Sequence, residues 1–196
     1  MEPTAGEIET REHDLTAGLA FEDGASLNFT TTESFERLEA EFARYSIPIG
    51  DYKFRDYAIT YVSDRSSKVG GRVNFRQGEF WIGTRKSVGG ELTLRPDYHW
   101  QVDTTFSRDD IEVPAGSFPT TLVGLKILYA HSSRSFLNAF LQSNAERNQF
   151  STNVRLKIIH HPLSEIFIVF NERRDTVPGE VVDRGVVFKF TNLFSF

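Results

Sequence analysis

Apolar and polar residues alternate along most of this chain. Between 100 and 107, Trp100, Val102 and Phe106 occupy even positions, and every odd position is polar. Because successive side chains of a strand point to opposite faces, the pattern predicts a strand with one apolar face. Similar segments recur between turn residues such as Asp23-Gly24, which predicts an all-β, antiparallel up-and-down meander of about eleven strands. The predicted strands cover 11–21, 26–31, 52–63, 69–75, 79–95, 100–107, 123–130, 136–144, 153–158, 166–170 and 186–196.

The period changes between 34 and 44. Phe35, Leu38 and Phe42 recur there at helical spacing, after the candidate N-cap Ser34. We therefore expect one short amphipathic helix within a long loop, 33–50.

The final strand carries a row of aromatic rings. Phe188, Phe190, Phe194 and Phe196 share one face, and Lys189, Thr191 and Ser195 lie on the other. Outer-membrane barrels have a lipid-facing apolar band with aromatic girdles, so this row favours such a barrel. We expect the four phenylalanines to form a C-terminal assembly signal that the barrel-insertion machinery reads. Tyr57, Tyr61, Trp100 and Tyr129 are interpreted as further interfacial aromatics.

The predicted connections alternate in length. Those near 22, 64, 96, 132 and 161 are short, whereas 33–50, 108–119, 144–151 and 173–184 are longer, and Gln77-Gly78 is the exception. Short periplasmic turns and longer outer loops are typical of outer-membrane barrels. The lengths therefore predict which end of each strand faces the periplasm.

The amino-acid composition excludes several classes of protein. Apolar residues make up 39% of 196, and no run is long enough for a membrane-spanning helix. The absence of cysteine removes disulfides and thiolate metal sites. A net charge of −5 gives no support for nucleic-acid binding, which needs a basic field.

The first residues lack the basic and apolar segments of a signal peptide. An odd strand count also departs from the even number usual in bacterial barrels. We therefore expect residues 1–196 to be a single domain and the C-terminal portion of a barrel. The missing N-terminal strands and export signal would belong to a longer parent protein.

Several runs of residues resemble a known family. They are 48–52 (PIGDY), 78–83 (GEFWIG), 113–118 (VPAGSF), 150–156 (FSTNVRL), 162–171 (PLSEIFIVFN) and 187–191 (VFKFT). They are similar to domain of unknown function 5916, the C-terminal barrel domain of large bacterial outer-membrane proteins with an N-terminal carbohydrate-binding-like module. The resemblance implies an outer-membrane location and a fold, but no established activity. The carbohydrate-binding module does not lie within this sequence.

One set of basic residues is the functional hint. On the polar side of the predicted strands, facing the lumen of a barrel, lie Arg72, Arg76, Arg95, Lys126, Arg155, Lys157 and Lys189. A ring of such charges favours anions or oligosaccharide hydroxyls. The alternative, which we favour, is a cross-strand ladder with Asp56, Glu91 and Asp103.

The sequence gives weaker support for metal sites. His160 and His161 are neighbours on a strand and point to opposite faces, so they do not readily share a metal ion. Asp109, Asp110 and Glu112 are interpreted as a solvated acidic loop rather than a calcium site. We expect no catalytic residue, cofactor or metal.

Two functions of different classes remain. The first is an outer-membrane barrel that serves as scaffold or conduit, with lipid as its partner. The second is a soluble all-β domain that binds glycan or acts as a hydrolase.

Overall fold

The computed structural model describes residues 9–64 and 66–193. They form eleven strands and, within the described residues, no helix. The strands are β1 Thr10–Ala20, β2 Ser26–Leu38, β3 Gly50–Val62, β4 Val69–Phe80, β5 Gly83–Leu94, β6 Trp100–Val113, β7 Gly116–Ser132, β8 Ser135–Asn144, β9 Gln149–His161, β10 Ser164–Asp175 and β11 Val181–Thr191. They lie in one sheet in chain order. The predicted all-β, up-and-down antiparallel meander is confirmed.

The helix expected at 34–44 is wrong. Its first half belongs to β2, which lies between β1 and β3 in the sheet. Ser34 lies opposite Glu12 and Phe54, and Arg37 lies opposite Asp51. Hydrogen bonds to two neighbouring strands outweigh a weak local helical period.

Several predicted turns are also displaced. β4 continues through Gln77-Gly78 and ends at Phe80, so the turn lies at 81–82. The loops expected at 108–119, 144–151 and 173–184 shorten to 114–115, 145–148 and 176–180. Of the four longer connections that the sequence predicts, only the first stays long, as the segment 39–49 between β2 and β3. The expected contrast in connection length is therefore wrong and does not orient the strands.

Two compact units make up the chain. The first comprises the described part of Met1–Ser63 with Arg72–Gly89 and Arg108–Pro119. The second comprises Asp64–Gly71 and Gly90–Ser107 with the described part of Thr120–Phe196. The first unit thus contains β1–β3, and the second contains β8–β11.

The register sorts side chains of the first unit onto two faces. Ile59 of β3 lies opposite Phe29 of β2 and Phe75 of β4, and directly opposed residues share a face. We call this the apolar face; its rows contain Leu15, Ala17, Leu19, Leu27, Phe29, Thr31, Tyr57, Ile59, Tyr61, Val73, Phe75 and Gln77. The opposite, polar face carries Asp14, Thr16, Thr30, Thr32, Asp56, Thr60, Asn74 and Arg76.

The two faces of the first unit differ in what covers them. Leu15 is 71% exposed and Ile59 48% exposed. On the polar face, Thr32 donates to Asp14 at 2.6 Å and is buried. Along β3 the large apolar side chains are thus more exposed than their polar neighbours, the reverse of a soluble sheet.

In the second unit the register also gathers apolar side chains on one face. Ile168 of β10 lies opposite Leu156 of β9 and Phe188 of β11. The apolar face there contains Leu137, Ala139, Val154, Leu156, Ile158, Ile166, Ile168, Phe170, Val186, Phe188 and Phe190. Phe188 is 64% exposed and Phe190 56% exposed. Phe194 and Phe196 of the expected assembly signal lie outside the described residues, so that signal stays a prediction.

A small core lies in the first unit. Tyr45 and Ile47, from the segment 39–49, are buried against Ile111 and Val113 of β6. Leu38, Tyr52, Phe80, Trp81 and Phe118 pack around them. Since Leu38 and Tyr52 share a face with Ser34 and Asp56, the segment covers one end of the polar face.

Candidate functional site

A groove lies in the first unit, beyond the end of its apolar rows. It encloses about 910 Å³ and is called the rim groove. Its lining consists of Glu33, Lys53, Phe54, Arg55, Tyr57, Gln77, Gly78, Glu79, Thr84, Arg85, Lys86, Arg108, Asp110, Glu112 and Ser117. It is larger than a second concavity, of about 210 Å³, in the second unit.

The course of two strands explains the groove. The backbone pairing of β3 with β4 ends at Asp56 opposite Gly78, although β3 extends back to Gly50. Beyond that point the N–H of Arg55 donates to the Glu79 carboxylate at 3.0 Å instead of to a strand carbonyl. A side chain therefore takes the place of a ladder bond where the groove lies.

Ion pairs occupy part of the groove. Arg55 contacts Glu33 at 2.7 Å, and Arg108 contacts Asp110 at 2.9 Å. The hydrogen bond from Arg55 lowers the pKa of Glu33 below its usual value, and its charge acts in the same direction. Glu33 is therefore anionic at neutral pH.

Two lysines of the groove differ from these arginines. Within the described residues, Lys53 and Lys86 form no ion pair closer than 4.0 Å. The ammonium of Lys86 lies 6.0 Å from the centre of the Phe75 ring, on the apolar face. The groove thus joins positive charge that has no ion-pair partner among the described residues to apolar surface.

The predicted basic set falls in both units. Arg72 and Arg76 lie on the polar face of the first, where Arg76 is 3.6 Å from Asp56. The second contains Arg95, Lys126, Arg155, Lys157 and Lys189. There Lys157 and Lys189 both lie opposite Phe167, and Lys157 pairs with Glu165 at 2.8 Å.

The expected ladder is present in part. Arg76 approaches Asp56 as that interpretation requires. Asp103 instead accepts hydrogen bonds from Thr93 at 2.8 Å and from Gln101 at 2.9 Å. Arg95 reaches the same Gln101 at 3.4 Å. Asp103 therefore bonds the neutral side chains of Thr93 and Gln101, where the ladder interpretation expects a basic residue.

The acidic loop expected at Asp109, Asp110 and Glu112 is wrong, since all three lie within β6. Asp109 accepts from Arg85 at 2.6 Å and from Ser87 at 2.5 Å. The sequence offered no signal for this cluster, because it depends on a pairing between strands that alternation does not fix.

A smaller concavity of about 210 Å³ lies in the second unit. Phe140 is 41% exposed there, on the polar face beside Asn153, which lies opposite it. The amide of Asn153 donates to Asn171 on the next strand. An exposed ring among amides was not anticipated from the sequence.

Among the described residues there is no cluster of three or more potential metal ligands. The Nδ1 atom of His160 is buried without a hydrogen-bond partner, and its ring lies 5.3 Å from that of His161. In the described part of the chain, no helix has the length and apolarity needed to cross a membrane.

Comparisons with known proteins give one distant likeness. The solved structure of the KdgM porin in complex with disordered oligogalacturonate matches 92% of this chain and 94% of its own, at 9% identity and a TM-score of 0.37. A likeness of that degree carries no argument about this chain. No protein-family model matches the chain, and no curated protein matches it.

Proposed function

We propose that this chain forms part of a bacterial outer-membrane β-barrel, with its apolar face in contact with lipid and its polar face in contact with water. The observation that carries the proposal is the exposure of large apolar side chains in opposed rows, such as Phe29 at 46% beside Ile59 at 48%. In water such a band would be costly at about 25 cal/mol per Å². Contact with the hydrocarbon chains of a bilayer removes that cost, because the apolar face then no longer meets water.

The ends of the apolar rows support the same proposal. Tyr57 lies where the rows of the first unit give way to Arg55 and Lys53 on the same face of β3. In the second unit, the rings of Trp100 and Tyr129 lie 4.3 Å apart. Aromatic side chains at the border between apolar and charged surface are typical of the membrane interface.

The sheet edges indicate what the chain needs for assembly. Among the described residues, β1 pairs with β2 alone and β11 with β10 alone. Lipid does not tolerate unpaired backbone groups, so both edges require further strands. Those of a longer parent protein are the partners we propose, as the resemblance to the outer-membrane family also implies.

Single cysteines test the proposal, because the chain has none of its own. We would place one at Phe29, Thr30, Ile59 or Thr60, attach an environment-sensitive fluorophore and fold each variant, together with the further strands that its edges require, into vesicles with brominated lipids. We expect quenching at 29 and 59, on the apolar face, and little at the polar-face positions 30 and 60. Equal quenching at all four positions would exclude the proposed orientation.

The rival is a soluble all-β domain that binds glycan or acts as a hydrolase. That function requires a second layer over the apolar face. A chain that stays monomeric and folded without detergent, with positions 29 and 59 shielded from aqueous quenchers, would establish the rival.

We also propose that the polar face passes or holds saccharides. Phe140 offers an exposed ring, and Asn153, Asn171 and Ser151 lie around it. Sugar rings stack on aromatic faces while amides bond their hydroxyls. We expect Phe140→Ala to weaken binding of uncharged oligosaccharides in calorimetry, whereas Phe188→Ala, on the apolar face, does not. Equal effects would remove the saccharide role and leave the barrel proposal standing.

A further inference from the structure

We propose that the rim groove binds the phosphate of an anionic lipid headgroup between Lys53 and Lys86. The inference rests on the proposed function, since it requires the neighbouring apolar face to lie in a bilayer. It adds a specific lipid site to what would otherwise be a nonspecific surface.

The charges of the groove favour a small anion at one place. Its lining carries five basic and four acidic side chains, so its overall field is weak. Arg55 and Arg108 are held by Glu33 and Asp110, and Arg85 is held by Asp109 outside the lining. Lys53 and Lys86 therefore provide the positive charge that a ligand would meet.

Three of the four carboxylates of the groove have other partners, and the charge of Lys53 also acts on Glu33. The pairs with arginine engage Glu33 and Asp110, while Glu79 accepts the backbone N–H of Arg55 at 3.0 Å. Glu112 is the remaining carboxylate of the lining. A compact phosphate suits this local arrangement better than an extended polyanion would.

Both lysines lie beyond the apolar residues on the same face of their own strands. Lys86 precedes Val88 on one face of β5, roughly 7 Å along the strand, and Val88 is 41% exposed. Lys53 precedes Tyr57 on one face of β3 by roughly 13 Å. Lysine stems lie along apolar surface while their ammonium groups reach the polar layer. An acyl chain below the groove would then contact Phe75, against which Lys86 already lies.

Lipid binding to the whole chain in dodecyl maltoside micelles tests the inference. We would titrate phosphatidylglycerol and follow bound lipid by native mass spectrometry. Lys53→Gln combined with Lys86→Gln should raise the apparent dissociation constant about 25-fold, since each basic residue near a membrane surface contributes about fivefold. Lys126→Gln combined with Lys189→Gln makes the same change of charge in the second unit and should leave it unchanged. Lys53→Arg combined with Lys86→Arg should retain binding.

An unchanged dissociation constant for the groove variant would overturn the inference. So would binding of glycerol 3-phosphate as tight as that of phosphatidylglycerol, since the groove would then be a site for soluble phosphate. If the wild-type chain enters micelles and shows either result, the lipid site fails and the barrel proposal survives. A wild-type chain that folds in buffer and stays out of micelles would overturn both.

Discussion

Phe29 of β2 and Ile59 of β3 lie directly opposite each other, and close to half of each side chain is exposed. One position along, Thr30 lies opposite Ala58 on the polar face, where Thr30 shares a 3.0 Å hydroxyl contact with Thr16. The strand therefore changes environment with every residue, and its apolar side has no cover among the described residues.

A lysine placed on each face should separate these environments. We expect Ile59→Lys to lower the free energy of unfolding in lipid vesicles by about 1–3 kcal/mol, because Ile59 lies between the interface at Tyr57 and the bilayer midplane, where a lysine costs about 2–4 kcal/mol. Thr60→Lys, the adjacent polar-face change, should cost about 1 kcal/mol or less. Urea unfolding followed by tryptophan fluorescence measures both. Equal losses would contradict a lipid-facing Ile59.

The segment 39–49 should depend on one buried side chain. Ile47 is fully buried, whereas Ile49, two residues on, is 66% exposed. We expect Ile47→Ala to cost about 2–5 kcal/mol and to expose the segment to protease, because it leaves a cavity beside Tyr45 and Ile111. Ile49→Ala should change the cleavage rate little. Similar cleavage of the two variants would show that the segment is not held by this core.

Alternation predicted much of the fold but not where strands end. Strong apolar rows such as Phe188 and Phe190 identified β11, because period two is a local property of the chain. The helical spacing of Phe35, Leu38 and Phe42 predicts a helix at 34–44. Only the neighbours that Phe35 finds in β1 and β3 make 34–38 a strand. Tertiary pairing outweighs local propensity in such places.

The candidate sites depend even more on register. The basic set was found because its members alternate with apolar residues, yet the rim groove was missed. It exists because β3 and β4 stop pairing at Asp56 and Gly78, and no residue pattern announces that point. Likewise, Asp109 meets Arg85 only through the position of β6 in the first unit. Contacts of this kind are fixed by strand pairing rather than by spacing.

Acid should loosen the base of the segment 39–49. Arg37 donates to both carboxylate oxygens of Asp51, at 2.8 and 3.0 Å, where β2 and β3 flank the segment. This hydrogen bonding lowers the pKa of Asp51 below its usual value, and the charge of Arg37 adds to the effect. The stabilisation is therefore complete above the unfolded-state pKa, about 4, and is lost as pH falls through the lower folded-state pKa.

Proteolysis of the segment at a series of pH values, with an acid-tolerant protease such as pepsin at the low end, measures this dependence. Wild-type cleavage should accelerate below about pH 4. Asp51→Asn should be cleaved faster already at pH 5 and show less change on acidification. Glu39→Gln removes one acidic charge within the segment and serves as the control. If Asp51→Asn and the wild type show the same dependence of cleavage rate on pH, the ion pair of Arg37 with Asp51 does not hold the segment.

The backbone of β6 lies so close to Gly83 that any side chain at this position is destabilising. A Cβ at Gly83, the first residue of β5, would overlap the carbonyl oxygen of Glu112 and meet the side chain of Val113. Because backbone cannot move aside as a flexible side chain can, Gly83→Ala should lower the free energy of unfolding by about 1–3 kcal/mol. A Cβ at Gly185 of β11 has nothing within 4 Å, so Gly185→Ala should be neutral or stabilise by about 0.5 kcal/mol. Urea titration in micelles compares the two. If Gly83→Ala and Gly185→Ala are equally stable, β5 and β6 lie farther apart at Gly83 than the structure places them. Val113 of β6 would then not pack beside Ile47 in the core as the structure shows.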